Sequence, residues 1–288
     1  MRFLICFFLL LMIACGNGTE EKIIQEKPKA TGEYFDYMNK GNTAFAEKHL
    51  AEKNQEALTA FENAYTIQKD DPTLYEKLIR CYYYSAMYHG EQKTKEERIR
   101  LLATGKQYGI EGLKLNPQMK QAIEAEKSWD EIASLARRSD VPAMYWLGIC
   151  WGRWGEIKGI TTVAFDIGKV KTLMTKVLEL DDSYGSGGAD RFFGVFYMEI
   201  PNGSPEKARE HFEKAIQLSP DFLQNYILFA QYYCVKKEEQ DLFVEMCKEI
   251  LAREKTLNLA PQDWKIDNDD ALRKAKIWIT EDYQDEVF

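Results

Sequence analysis

Two clusters in this chain hold side chains that could grip a ligand. The first is Trp151, Arg153 and Trp154, with a guanidinium between two indoles in sequence. A cation held near aromatic faces suits a carboxylate or the flat face of an organic molecule. The second is Tyr184-Gly185-Ser186-Gly187-Gly188, followed at once by Asp190 and Arg191, with Tyr197 further along the same segment. A glycine-rich loop before a helix can turn backbone amides toward an anion, and Arg191 could add a bidentate grip on a carboxylate. Gly187, Gly188, Asp190, Arg191 and Tyr197 therefore join Trp151, Arg153 and Trp154 as candidate ligand-binding residues. Packing accounts for both clusters as well, and more economically. Trp151 occupies an ordinary aromatic core position with Arg153 left in solvent, and the glycines serve a tight helix–helix turn with Arg191 paired to a nearby acid.

No catalytic constellation accompanies them. His49, His89 and His211 are isolated, without metal-ligand spacing. No nucleophile elbow, P-loop or zincin motif occurs. The expectation is a binding protein with no catalytic residue, no metal and no cofactor.

The elements that must position these clusters are helices. Ser204 to Pro220 shows the unit: Ser204 is a natural N-cap, Pro205 fits the first helical position, and Ala208, Phe212 and Ala215 share one face at i, i+4, i+7. Small–aromatic–small followed by proline is the pattern of the second helix of a tetratricopeptide repeat. The same steps recur as Ala57, Phe61, Ala64 after Tyr37 and Gly41, and as Gly105, Gly109, Gly112, Pro117 after Tyr75, Leu78 and Tyr82. Three glycines on one face imply very close helix packing, since each costs about 1 kcal/mol relative to alanine. Lys120 to Arg138 reads as one further helix. Met144 to Trp151 pairs with Val170, Met174 and Val177 across a long insertion, Gly155 to Gly168. Asp190 to Tyr197 pairs with Ser204–Pro220, and Tyr226 to Tyr233 with Asp241–Arg253. Asn268 to Ile279 is a terminal helix that seals an exposed end, and Glu281 to Phe288 is an acidic, loose tail. The expected fold is all-α: a helical-repeat solenoid of about four irregular pairs with a C-terminal capping helix, over residues 32–280.

Of the 288 residues, 45% are hydrophobic and 29% charged, and the formal charge is −8. That balance suits a folded domain and argues against nucleic acid as a partner. Met1-Arg2 and the apolar run Phe3 to Ile13 read as a signal peptide, residues 1–14. Leu11-Met12-Ile13-Ala14-Cys15 resembles a bacterial lipobox, with Met12 where leucine is usual. The resemblance implies cleavage before Cys15 and lipid on its sulfur, which would hold the protein at a membrane surface. Residues 15–31 then form a polar tether. Cys81, Cys150, Cys234 and Cys247 lie in the body. They permit three complete disulfide pairings, among which the sequence does not choose, and buried free thiols are the simpler expectation.

One stretch carries more than a generic repeat. Tyr145-Trp146-Leu147-Gly148, Trp151-Gly152-Arg153-Trp154, Lys169-Val170-Lys171, Leu178-Glu179-Leu180-Asp181 and Tyr184 to Gly194 follow one another in that order. This resembles the T-component family of TRAP (tripartite ATP-independent periplasmic) transporters, with the match running from about Tyr37 to Ile279. The resemblance implies an exported, periplasm-facing lipoprotein of the bacterial envelope with tetratricopeptide-like helices and a ligand-accessible channel. The partners it implies are the transporter's solute-binding P component, a small organic acid, the membrane through the lipid anchor, and further copies of the chain, as a trimer. A structural lipoprotein that scaffolds envelope assembly through protein or peptide partners is the alternative.

Overall fold

The computed structural model describes residues 32–288, so the expected signal peptide, Cys15 and the tether lie outside the described residues. Helix follows helix throughout, and no strand occurs among the described residues. The first pair is α1 (Gly32–Ala46) and α2 (Ala51–Ile67), the second α3 (Pro72–Met87) and α4 (Lys95–Leu113). Two short helices follow, α5 (Pro117–Glu124) and α6 (Trp129–Ser134). Next, α7 (Val141–Lys158) pairs with α8 (Ile160–Leu180), and α9 (Tyr184–Glu199) with α10 (Pro205–Leu218). α11 (Gln224–Leu228) runs through a π-helical stretch, Phe229–Cys234, into α12 (Val235–Lys237), and this segment packs on α13 (Gln240–Ala252). α14 (Lys265–Trp278) and α15 (Glu281–Val287) close the chain.

The small–aromatic–small code works as read. Ala208, Phe212 and Ala215 are fully buried, Ser204 Oγ caps α10 by accepting from the Lys207 amide at 3.2 Å, and helix propagation stops at Ser219 before Pro220. On α4 the missing side chains permit contact: a Cβ on Gly109 would stand 2.7 Å from Leu147 Cβ of α7. All four cysteines of the body are buried free thiols, and burial pushes the Cys81, Cys234 and Cys247 thiols up to about 12.

Three expectations need correction. Lys120–Arg138 is not one helix. Glu126 takes a left-handed conformation (φ 52°), and the Ser128–Glu131 capping box starts α6 afresh. The insertion Gly155–Gly168 does not separate the two helices but extends them: α7 runs on to Lys158, only Gly159 (φ 123°) breaks the path, and α8 begins at Ile160. The acidic residues after Thr280 form α15, whose Tyr283 stacks on Trp278 at 5.6 Å, while Phe288 meets Phe243 edge-on at 5.3 Å.

The terminal helix also does more than seal an end. Its leading turn returns to the start of the chain. Asp263 accepts from Lys48 Nζ at 2.8 Å and from Arg80 Nη2 at 2.6 Å, and Tyr88 donates to Asp267 at 2.5 Å. Ile266 sits in the core formed by α1, α2 and α3. Lys48 is a fully buried lysine, and its ammonium is matched only because this return reaches it.

Candidate functional site

The glycine turn comes first. Gly185, Ser186 and Gly187 are all left-handed (φ 61°, 59° and 74°), a run that L side chains resist and glycine permits. An ordinary helix resumes at Gly188. The turn is clamped between neighbours: a Cβ on Gly187 would lie 2.9 Å from Ala215 Cα, and one on Gly188 would press into the Tyr145 ring. Gly187, Gly188, Ala189 and Asp190 are buried, so the start of the regular helix is covered by protein.

Arg191 folds back onto this turn rather than toward an acid. Nη1 donates to the Ser186 carbonyl (3.1 Å) and Asn225 Oδ1 (2.6 Å), and Nη2 donates to the Gly185 carbonyl and the Tyr145 hydroxyl (3.1 Å each). All four terminal N–H groups are thereby engaged, and the guanidinium lies 4.8 Å from the Phe222 ring centre. A bidentate grip on a carboxylate would have to break bonds that hold the turn. Asp190 is fully buried beside His211, with Nδ1 at 2.7 Å, and within 3.4 Å of Lys214 Nζ. Tyr197 stacks on the same imidazole at 5.7 Å and 14°. These residues form a packed joint between α9 and α10.

Trp151, Arg153 and Trp154 part company on α7. At 3.6 residues per turn, Arg153 points away from Trp151, and residues two apart never face each other. Arg153 therefore does not lie between the two indoles, and Trp151 is a core residue. The cation at the indoles is Lys106 of α4, whose Nζ lies 3.9 Å from the Trp151 ring centre and 4.5 Å from that of Trp154. Lys158 stands 4.5 Å from Trp154 and Lys169 5.4 Å from Trp151. Trp151 is buried, meets Trp129 edge-on at 5.0 Å, and donates its indole N–H to Asp166 at 2.9 Å. Sequence reasoning missed Lys106; the one available signal was Gly105 beside it, which marks the point where α4 meets α7.

Arg153 lies on the other face, with the first helices of the pairs. It is half-buried, and Nη1 donates to exposed Glu156 at 2.7 Å. Burial acts to lower its pKa, but the phenols of Tyr83 and Tyr232 and the Glu156 carboxylate outweigh it and hold the guanidinium above its usual range. Tyr83 belongs to α3 and Tyr232 to the π-helical stretch, so three separate elements bear on Arg153. Around it the rings interlock: Tyr83 contacts Tyr88 (6.1 Å) and Trp146 (5.5 Å), and Trp146 contacts Tyr145 (5.2 Å). Nearby Asp267 is pushed up by burial, against the opposing pull of Tyr88, Arg191, Lys48 and Arg80. Among the described residues no group of three or more His, Cys, Asp or Glu is placed to hold a metal ion, and no helix is long and apolar enough to cross a membrane.

Comparison with known proteins identifies one family. Residues 82–284 match the family model described as TRAP transporter T-component, a span that begins within α3 and ends within α15 and includes every cluster above. A search of curated proteins finds no match.

Proposed function

The chain belongs to the TRAP transporter T-component family, and on that premise we propose that it docks the solute-binding P component and holds a small organic acid on its first-helix face. The observation that carries the acid site is Arg153. Its guanidinium is half-buried among phenols, and its one carboxylate partner, Glu156, is 58% exposed. An exposed ion pair contributes little stability, so an incoming carboxylate can replace Glu156 at little cost. Charge-assisted hydrogen bonds would hold the acid group, while half-buried Tyr83, Trp146 and Tyr232 offer ring surface to an apolar body. No covalent chemistry is invoked. Lipid on Cys15 would keep the protein at the envelope membrane, facing the periplasm.

The test is co-elution of the transporter's solute-binding protein with tagged full-length chain, with and without solute. Retention that strengthens with solute and falls at least tenfold in Arg153→Gln supports the reading. Failure to retain it in either state would overturn the docking role. Retention of a defined envelope-assembly protein in its place would support the scaffold alternative.

A further inference from the structure

Lys106, Lys158 and Lys169 gather around Trp151 and Trp154, and only Lys169 has an acid partner among the described residues. Lys169 is paired with Asp166 at 2.7 Å, and that carboxylate also accepts from Trp151. Lys106 and Lys158 make no ion pair among the described residues, yet both ammonium groups stand 4.5 Å from the same Trp154 ring centre. Glu111, which lines the same cleft, is paired with Lys114 at 2.7 Å, and Glu156 with Arg153 at 2.7 Å. The region therefore carries surplus positive charge on a chain whose formal charge is −8. Burial lowers the pKa of Lys106, and the fields of Lys169 and Lys158 lower it further against the pull of Asp166. Like charges this close favour a counter-anion.

The space for one is present. A cleft of about 370 Å³ opens beside Lys106, lined by Ala103, Gln107, Ile110 and Glu111 of α4 and by Trp154. That volume falls in the range of small-molecule sites. Ala103, Ile110 and Trp154 make most of its lining apolar, beside the polar ends of Lys106, Gln107 and Glu111, so it suits a flat apolar body better than a hydrated inorganic ion.

We propose that this cleft is a binding site for an organic anion with a flat apolar body, its acid group on Lys106 and its body against Trp154, with Lys158 on the same indole adding positive field. The site is built from α4 and the Trp154 face of α7, away from Arg153, and does not depend on docking of the solute-binding protein. Lys106 and Lys158 supply charge, Trp154 and Ile110 supply surface, and Trp151, held by Asp166, fixes the position of Lys106.

Benzoate provides the test, added at constant ionic strength to ¹⁵N-labelled protein. The chain has six tryptophans, and Trp154→Phe identifies the Trp154 indole N–H resonance. Benzoate should shift that resonance saturably, with acetate at least about tenfold weaker because it lacks the ring. Lys106→Gln should weaken benzoate by about tenfold, and Lys158→Gln by less. Both lysines are accessible enough for their variants to fold, which the unchanged remainder of the spectrum would verify. No saturable shift, equal effects of acetate and benzoate, or unaltered benzoate binding in Lys106→Gln would each overturn the proposal.

Discussion

Arg191 and Lys106 are both cations set against aromatic rings, and they stand in opposite circumstances. Arg191 has four hydrogen bonds to fixed acceptors within its own joint and lies over Phe222. Lys106 has two indole faces, two neighbouring ammonium groups and no acceptor among the described residues. The first arrangement is closed and holds a backbone that would otherwise relax. The second is open and invites a partner. Counting a cation's remaining donors separates these roles better than its position in a suggestive motif.

Four measurements can break or sharpen that contrast. The largest effect is expected from Gly187→Ala, which adds a left-handed penalty of about 1–2 kcal/mol to a clash with the α10 backbone of similar or greater size. A loss of about 3 kcal/mol or more in denaturant unfolding is expected, and a loss below 1 would show the turn to be soft. Arg191→Ala should follow at about 2–3 kcal/mol, because it strands Asn225 and two carbonyls, and it should leave benzoate affinity unaltered.

Asp263→Asn comes next, at about 2 kcal/mol, since it leaves buried Lys48 and Arg80 short of countercharge. Those two cations hold the Asp263 carboxyl well below the usual carboxylate range, against the opposing effect of burial. A carboxyl depressed on folding adds stability above its unfolded pKa of about 4, and that stability is lost as pH falls below it. The variant should therefore lose less stability than the parent between pH 4 and pH 2, as read by acid titration of helicity. Smallest of all, Lys106→Gln should alter stability by no more than about 0.5 kcal/mol. A cation that weakens ligand binding without weakening the fold is the mirror image of Arg191.

Much of the scaffold was legible because the code is local. Ala208, Phe212 and Ala215, or Gly105, Gly109 and Gly112, declare a buried face within three turns, and helices form wherever such faces recur. The reading failed where a single residue's backbone decided the outcome. Glu126 in a left-handed conformation splits a helix, and Gly159 alone separates two helices where an insertion of fourteen residues was read between them. The surroundings of the candidate residues were hidden for a different reason. Lys106 reaches Trp151 from another pair, and Arg191 is satisfied by carbonyls, which carry no sequence signal. The separation of Arg153 from Trp151, by contrast, follows from helical geometry and was available from spacing.

The salt link from Asp263 to Lys48 spans 215 positions of chain. Repeat arrays ordinarily tolerate trimming or extension at either terminus, because each unit leans only on its neighbours. Here the segment leading into α14 is wedged against α1 to α3, so the first and last units of the described array lean on each other. Its unfolding should be all-or-none, its folding slowed by the need to bring distant segments together, and deletion of the residues after Pro261 should loosen α1 to α3 rather than merely shorten the stack.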